Sequence, residues 1–154
     1  MFETIYFWFS SLFGEDLHYF LAGDTFEDTG QSFTCWYNMY GFIALGTALL
    51  FMVTYYYFIN HPRLNKWWHW LIVLLIVGII NFIIGGAITT GDWSNGDIKV
   101  FVDASIENGI EAWEPEPSAC WMFGFANSIV SILFFIIFSF AFKWWSSACK
   151  RTPF

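Results

Sequence analysis

Apolar residues gather in this chain as three long runs. "WYNMYGFIALGTALLFMVTYYYFI" begins at Trp36, "WWHWLIVLLIVGIINFIIGGAI" at Trp67 and "ACWMFGFANSIVSILFFIIFSFAF" at Ala119, and none contains Asp, Glu, Lys or Arg. Crossing the hydrocarbon of a bilayer takes about 20 apolar residues in a helix. A helix on the surface of a soluble protein would need a polar stripe, which these runs lack. The pattern predicts an all-α integral membrane protein with three transmembrane helices, over 36–59, 67–89 and 119–142. Between the first two, residues 60–66 read as a tight turn, with Pro62 helping to end the first helix.

The polar positions orient these spans. Arg63 and Lys66 lie in the 60–66 turn, and Lys143, Lys150 and Arg151 lie in the 143–154 tail, so five of the six basic residues fall on one side. All thirteen acidic residues fall on the other, within 1–35 and 90–118. The positive-inside rule makes the basic side cytoplasmic, with the N-terminus outside and the C-terminus inside. Aromatic residues agree with this placement. Trp36, Tyr37, Tyr40 and Trp121 mark the outer interface, while Tyr55, Tyr56, Tyr57, Trp67, Trp68, Trp70, Trp144 and Trp145 mark the inner one, where an apolar ring meets water through its N–H or O–H.

Two segments stand outside the spans. Within 1–35, residues 1–22 put Phe2, Ile5, Phe9, Leu12 and Phe13 on one helical face and Glu3, Ser10 and Gly14 on another. This is the pattern of an amphipathic helix lying on the outer leaflet. A fourth span is the alternative, and it would have to accommodate Glu15, Asp16 and His18. Residues 90–118 form a small acidic external cap. In it "IKVFV" has strand character, "DASIENGIEAW" reads as a short helix with Asp103 as N-cap, and "EPEP" is an extended lead into the third span.

Composition sharpens this reading. Hydrophobic residues make up 57% and charged residues 12% of the 154, and the chain carries twenty Phe, ten Trp and seven Tyr. A core of this size cannot bury so many rings, so lipid is the expected partner for much of the surface. The formal charge of −7 leaves no electrostatic footprint for nucleic acid. The first apolar stretch has neither the basic n-region nor the small-residue cleavage site of a signal peptide.

Candidate chemistry is sparse. His18 falls on one side of the membrane and His61 and His69 on the other, with no Cys or second His at a ligand spacing, so no metal and no cofactor is expected. "DWSNGD" (92–97) has a hint of a calcium loop, but Trp93 occupies a position where a ligand is wanted, and the stretch reads as a turn. No nucleophile motif and no phosphate-cradling loop occurs, so no enzyme is expected. Cys35 and Cys120 head the first and third spans on the outer side and form a candidate disulfide between helix tops.

The most pointed feature is polar residues at membrane depth. Asn81 and Asn127 both lie roughly 10–12 Å below the outer ends of their spans at 1.5 Å per residue. Thr47 is a little deeper, and Ser128 and Ser131 flank the same layer. Small residues share those faces, with Gly78 and Gly85 around Asn81 and Gly124 before Ser128, a pattern that lets helix backbones approach closely. A layer of this kind is expected either to close hydrogen bonds within one subunit or to line a seam or water-filled path between subunits. The sequence therefore predicts a non-enzymatic membrane protein that self-assembles, as a channel-like or pore-forming homo-oligomer with a cation-attracting outer face. The alternative is an accessory or anchoring subunit of a larger membrane or envelope complex. A bacterial inner membrane is the expected location.

Overall fold

The computed structural model describes residues 2–23, 25–26, 31–58 and 67–143. Arg63, Lys66, Lys150 and Arg151, with His61, Trp144, Trp145 and Cys149, lie outside the described residues. The chain is nearly all helical. Three short helices, α1 (Glu3–Phe7), α2 (Ser10–Phe13) and α3 (Glu15–Ala22), precede a minimal antiparallel pair, β1 (Thr25–Phe26) and β2 (Gln31–Ser32). Then come α4 (Trp36–Val53), which ends in a π-helical turn over Thr54–Phe58, α5 (Trp67–Asn95), α6 (Asp97–Glu107) and α7 (Pro117–Lys143). Segments of α4, α5 and α7 are long and apolar enough to cross a membrane.

The three long helices form a bundle in which α5 and α7 make the most extensive pairing and α4 leans mainly on α7. Small residues explain how close the first pair comes. A Cβ placed on Gly124 would stand 2.6 Å from the Phe82 carbonyl oxygen and 2.8 Å from the Gly86 nitrogen, and one on Gly85 would meet the Gly124 Cα at 3.0 Å. Only glycine lets backbones meet at that distance. Outward-facing positions on the same helices are large and apolar, among them Phe42, Ile79, Ile83, Phe125, Ile137 and Phe140. This suits lipid contact.

The other elements crowd one end of the bundle, where α4 begins, α5 ends and α7 begins. Here the structure departs from the expected single amphipathic helix over 1–22. The chain breaks after Phe7 and again at Gly14, whose φ of 89° lies in the region that favours glycine. Its expected apolar face is also split, with Phe2 and Phe13 buried, Ile5 and Phe9 partly buried and Leu12 exposed. Phe2, Tyr6, Phe13, Leu17, Phe20 and Leu21 are all buried in one cluster with residues of α4, α6 and α7. The Phe2 ring lies flat on Gly41 of α4, where even a methyl group would collide with it.

The expected cap is likewise rearranged. Residues 92–95, read as part of a turn, continue α5 to Asn95, and the chain turns at Gly96 into α6. "IKVFV" is helical rather than extended. Its alternation competes with a helical face formed by Ile98, Phe101, Val102 and Ser105, and all four are buried. Burying that face against Phe20 and Phe33 overrides local strand preference. Asp103 therefore sits inside α6, exposed, and caps nothing. Residues 110–116 run without regular structure into α7.

Candidate functional site

The polar residues at membrane depth converge. Asn81 Nδ2 donates to Thr47 Oγ1 at 2.8 Å and to the Val77 carbonyl at 3.0 Å. Thr47 in turn donates to the carbonyls of Ile43 and Ala44. From α7, Asn127 Nδ2 donates to the backbone carbonyl of Asn81 at 3.0 Å. Asn81 and Asn127 are fully buried. One layer thus ties α4, α5 and α7 together inside a single chain. An amide surrounded by hydrocarbon is stabilised only when its hydrogen bonds are made, so each of these contacts resists separation of the helices.

Ser128 and Ser131 do not join this layer. The Ser131 hydroxyl bonds the Ser128 carbonyl on its own helix, and the Ser128 hydroxyl lies opposite Gly78. Thr89, one buried turn above Gly85, bonds the Gly85 carbonyl at 2.7 Å and reaches the Cys120 carbonyl at 3.3 Å. Cys35 and Cys120 are free thiols, so the expected disulfide is absent. Each instead packs as a small apolar group in the cluster at the crowded end.

Sequence reasoning missed the fourth member of the layer. Tyr6, from α1, is fully buried and its hydroxyl donates to Asn127 Oδ1 at 2.6 Å. Its ring stacks on Tyr37 of α4, with centroids 5.1 Å apart and planes 12° from parallel. Tyr37 Oη pairs with His18 Nδ1 of α3 at 2.6 Å. Phe123 of α7 packs at the centre of this cluster, in ring contact with Tyr6, Phe13, Tyr37 and Tyr40. A line of hydrogen bonds and one ring stack therefore runs from His18 to Thr47. Burial sets its protonation. It raises the Tyr6 hydroxyl well above the ordinary tyrosine range. It also lowers the His18 imidazole, against the opposing pull of the Glu3 and Glu15 carboxylates. Both groups are neutral at pH 7.

Among the described residues, two atoms near this line are buried without a hydrogen-bond partner, Asn81 Oδ1 and Tyr40 Oη. At the top of α5 the same holds for Asp92 Oδ2 and Trp93 Nε1. Asp92 extends the buried face of α5 that carries Asn81, Gly85 and Thr89, an extension hidden in the sequence by its turn-like neighbours. Among the described residues no group of His, Cys, Asp and Glu is arranged to hold a metal ion. Compared with family models, curated proteins and solved structures, the chain matches none.

Proposed function

We propose that this chain is a non-enzymatic, membrane-integral accessory subunit that joins a larger membrane complex through its acidic end. The observation that carries this reading is that Thr47, Asn81 and Asn127 are already hydrogen-bonded to one another's helices within one chain. The same holds for Gly78, Gly85 and Gly124, which face α5 or α7 of the same chain. What remains outward along the bundle is apolar, whereas the crowded end presents carboxylates beside exposed Trp8, Tyr19 and Trp113. Charge and aromatic surface together suit recognition of a protein partner.

In this reading the protein resides in a bacterial inner membrane, with the acidic end outside and the basic turn and tail in the cytoplasm. Enzyme-reporter fusions at positions 64 and 105 test the orientation. A periplasm-only reporter active at 64 refutes it. Affinity capture from native membranes tests the function and is expected to return a foreign membrane protein in fixed stoichiometry.

A pore-forming homo-oligomer is the second reading. It is favoured by Asn81 Oδ1 and Tyr40 Oη, buried polar atoms with no partner among the described residues, since such atoms call for water, an ion or another subunit. The native mass in mild detergent separates the two. A discrete ring-sized assembly of this chain alone, passing cations in liposomes, would replace the accessory reading with the pore.

A further inference from the structure

A cleft opens at the acidic end between α3, α6 and the strap 110–113. It holds about 90 Å³, and its lining includes Asp16, Tyr19, Phe101, Glu111 and Trp113. Among the described residues no basic side chain lines it. Three aromatic rings and two carboxylates around one small volume make an environment that repels anions and attracts a soft cation.

The cleft is built rather than incidental. α6 ends in a paired closing motif, in which Gly109 donates to the Ile106 carbonyl and Ile110 to the Ser105 carbonyl, each at 3.0 Å. Gly109 takes a φ of 77°, which glycine supplies at little cost. This turns the strap back across α6. Ala112 then packs on the core cluster, and Pro115 is buried. Trp113 is held between those two anchors, yet it stays 73% exposed beside Tyr19 at 63%. The indole therefore stands at the rim of the cavity rather than in the core.

We propose that this cleft binds one organic ammonium group, with the rings of Trp113 and Tyr19 against its alkyl shell and Asp16 and Glu111 balancing its charge. The ammonium this reading assigns to the cleft is that of a lysine side chain on the protein partner, and a choline-type lipid headgroup is the alternative outcome that the test separates. The inference deepens the docking role proposed above, and its test is independent of partner capture.

The test titrates tetramethylammonium chloride into the full chain in neutral maltoside detergent by isothermal calorimetry, with sodium chloride at equal ionic strength as reference. Saturable binding of tetramethylammonium beyond sodium is expected, weakened about fivefold or more by Trp113→Leu, in line with cation–π energies at partly exposed sites. Glu111→Gln weakens it as well, and Trp68→Leu, at the opposite end of the bundle, leaves it unchanged. All three positions are exposed, so circular dichroism is expected to report an intact fold. Binding no different from sodium, or unchanged by Trp113→Leu, overturns the proposal. Nanodiscs then identify the source. Loss of probe binding in phosphatidylcholine but not in phosphatidylglycerol assigns the site to a lipid headgroup, and retention in both assigns it to a partner-borne cation. If tetramethylammonium binds while capture returns no partner, the site stands and the accessory reading fails. The converse result removes the site alone.

Discussion

Replacing Gly124 by alanine adds one methyl group at the closest approach of α5 and α7. The new carbon would stand 2.6 Å from the Phe82 carbonyl oxygen, where ordinary contact begins at 3.4 Å. Both atoms it meets, Phe82 O and Gly86 N, belong to the backbone, so no side chain can rotate away. The helices must part by about 0.8 Å locally. Three residues along α7, the Asn127–Asn81 hydrogen bond of 3.0 Å would then stretch to roughly 3.8 Å, too long to count as one. Overpacking costs about 1–3 kcal/mol and a lost interhelical bond in lipid about 0.6–2 kcal/mol, so a loss of about 2–5 kcal/mol is expected. Gly46→Ala is the matched control, because its Cβ meets nothing within 4 Å. It should be neutral or stabilise by up to about 1 kcal/mol. Reversible unfolding in mixed detergent micelles containing increasing dodecyl sulfate, followed by far-ultraviolet circular dichroism, compares the two. If Gly124→Ala unfolds within about 0.5 kcal/mol of the parent, the reasoning about this crossing is wrong.

Further expectations can be checked with the same preparation. Tyr6→Phe and Asn127→Ala remove the two ends of one hydrogen bond, so a double-mutant cycle should show coupling of about 1 kcal/mol. Asn81→Ala and Asn127→Ala should instead be nearly additive, because Asn127 bonds the backbone of Asn81 rather than its side chain. Gly41→Val should unseat Phe2, read as faster hydrogen exchange across residues 3–13 with the long helices unaffected. Because burial depresses the His18 pKa, the unseated segment takes up a proton near pH 6.5 while the seated one does not. Seating is therefore at full strength above that pH and weakens as the pH falls below it. His18→Gln should flatten this dependence in exchange measurements between pH 5 and 8. Alkylation without prior reduction, followed by mass spectrometry of denatured peptides, should find Cys35 and Cys120 both labelled.

What the sequence disclosed follows from the range of the forces involved. The three long helices were legible because an uncharged run of twenty or so apolar residues has few other homes. That Asn81, Asn127 and Thr47 meet at one level of the bundle followed from helical rise alone. Their partners did not, since side-chain depth says nothing of rotation about the helix axis, and Asn127 reaches a backbone atom. Tyr6 was invisible as a member of the layer because its partner lies 121 residues away. "IKVFV" misled because five residues fit both an alternating and a helical period, and Phe20 and Phe33, remote in sequence, decide between them. The break at Gly14 was obscured by the continuous apolar face on either side of it.

The contact between Tyr6 and Asn127 has a consequence for how the protein is made. The segment from α1 to α3 leaves the ribosome well before α7, but its seat is completed by Phe123 and Asn127 of that later helix. At ordinary translation rates of 5–20 residues per second, that interval is about 6–24 s. Throughout it, Phe2, Tyr6, Phe13 and Leu17 lack the α7 side of their seat, and only earlier elements such as Gly41 and Tyr37 of α4 can cover them. A chain halted before α7 never completes that seat, and it leaves the α7 side of the aromatic face uncovered for as long as it survives. Occupancy of that seat therefore distinguishes finished molecules from interrupted ones, and a membrane protease that recognises unseated aromatic segments would remove the second kind and spare the first.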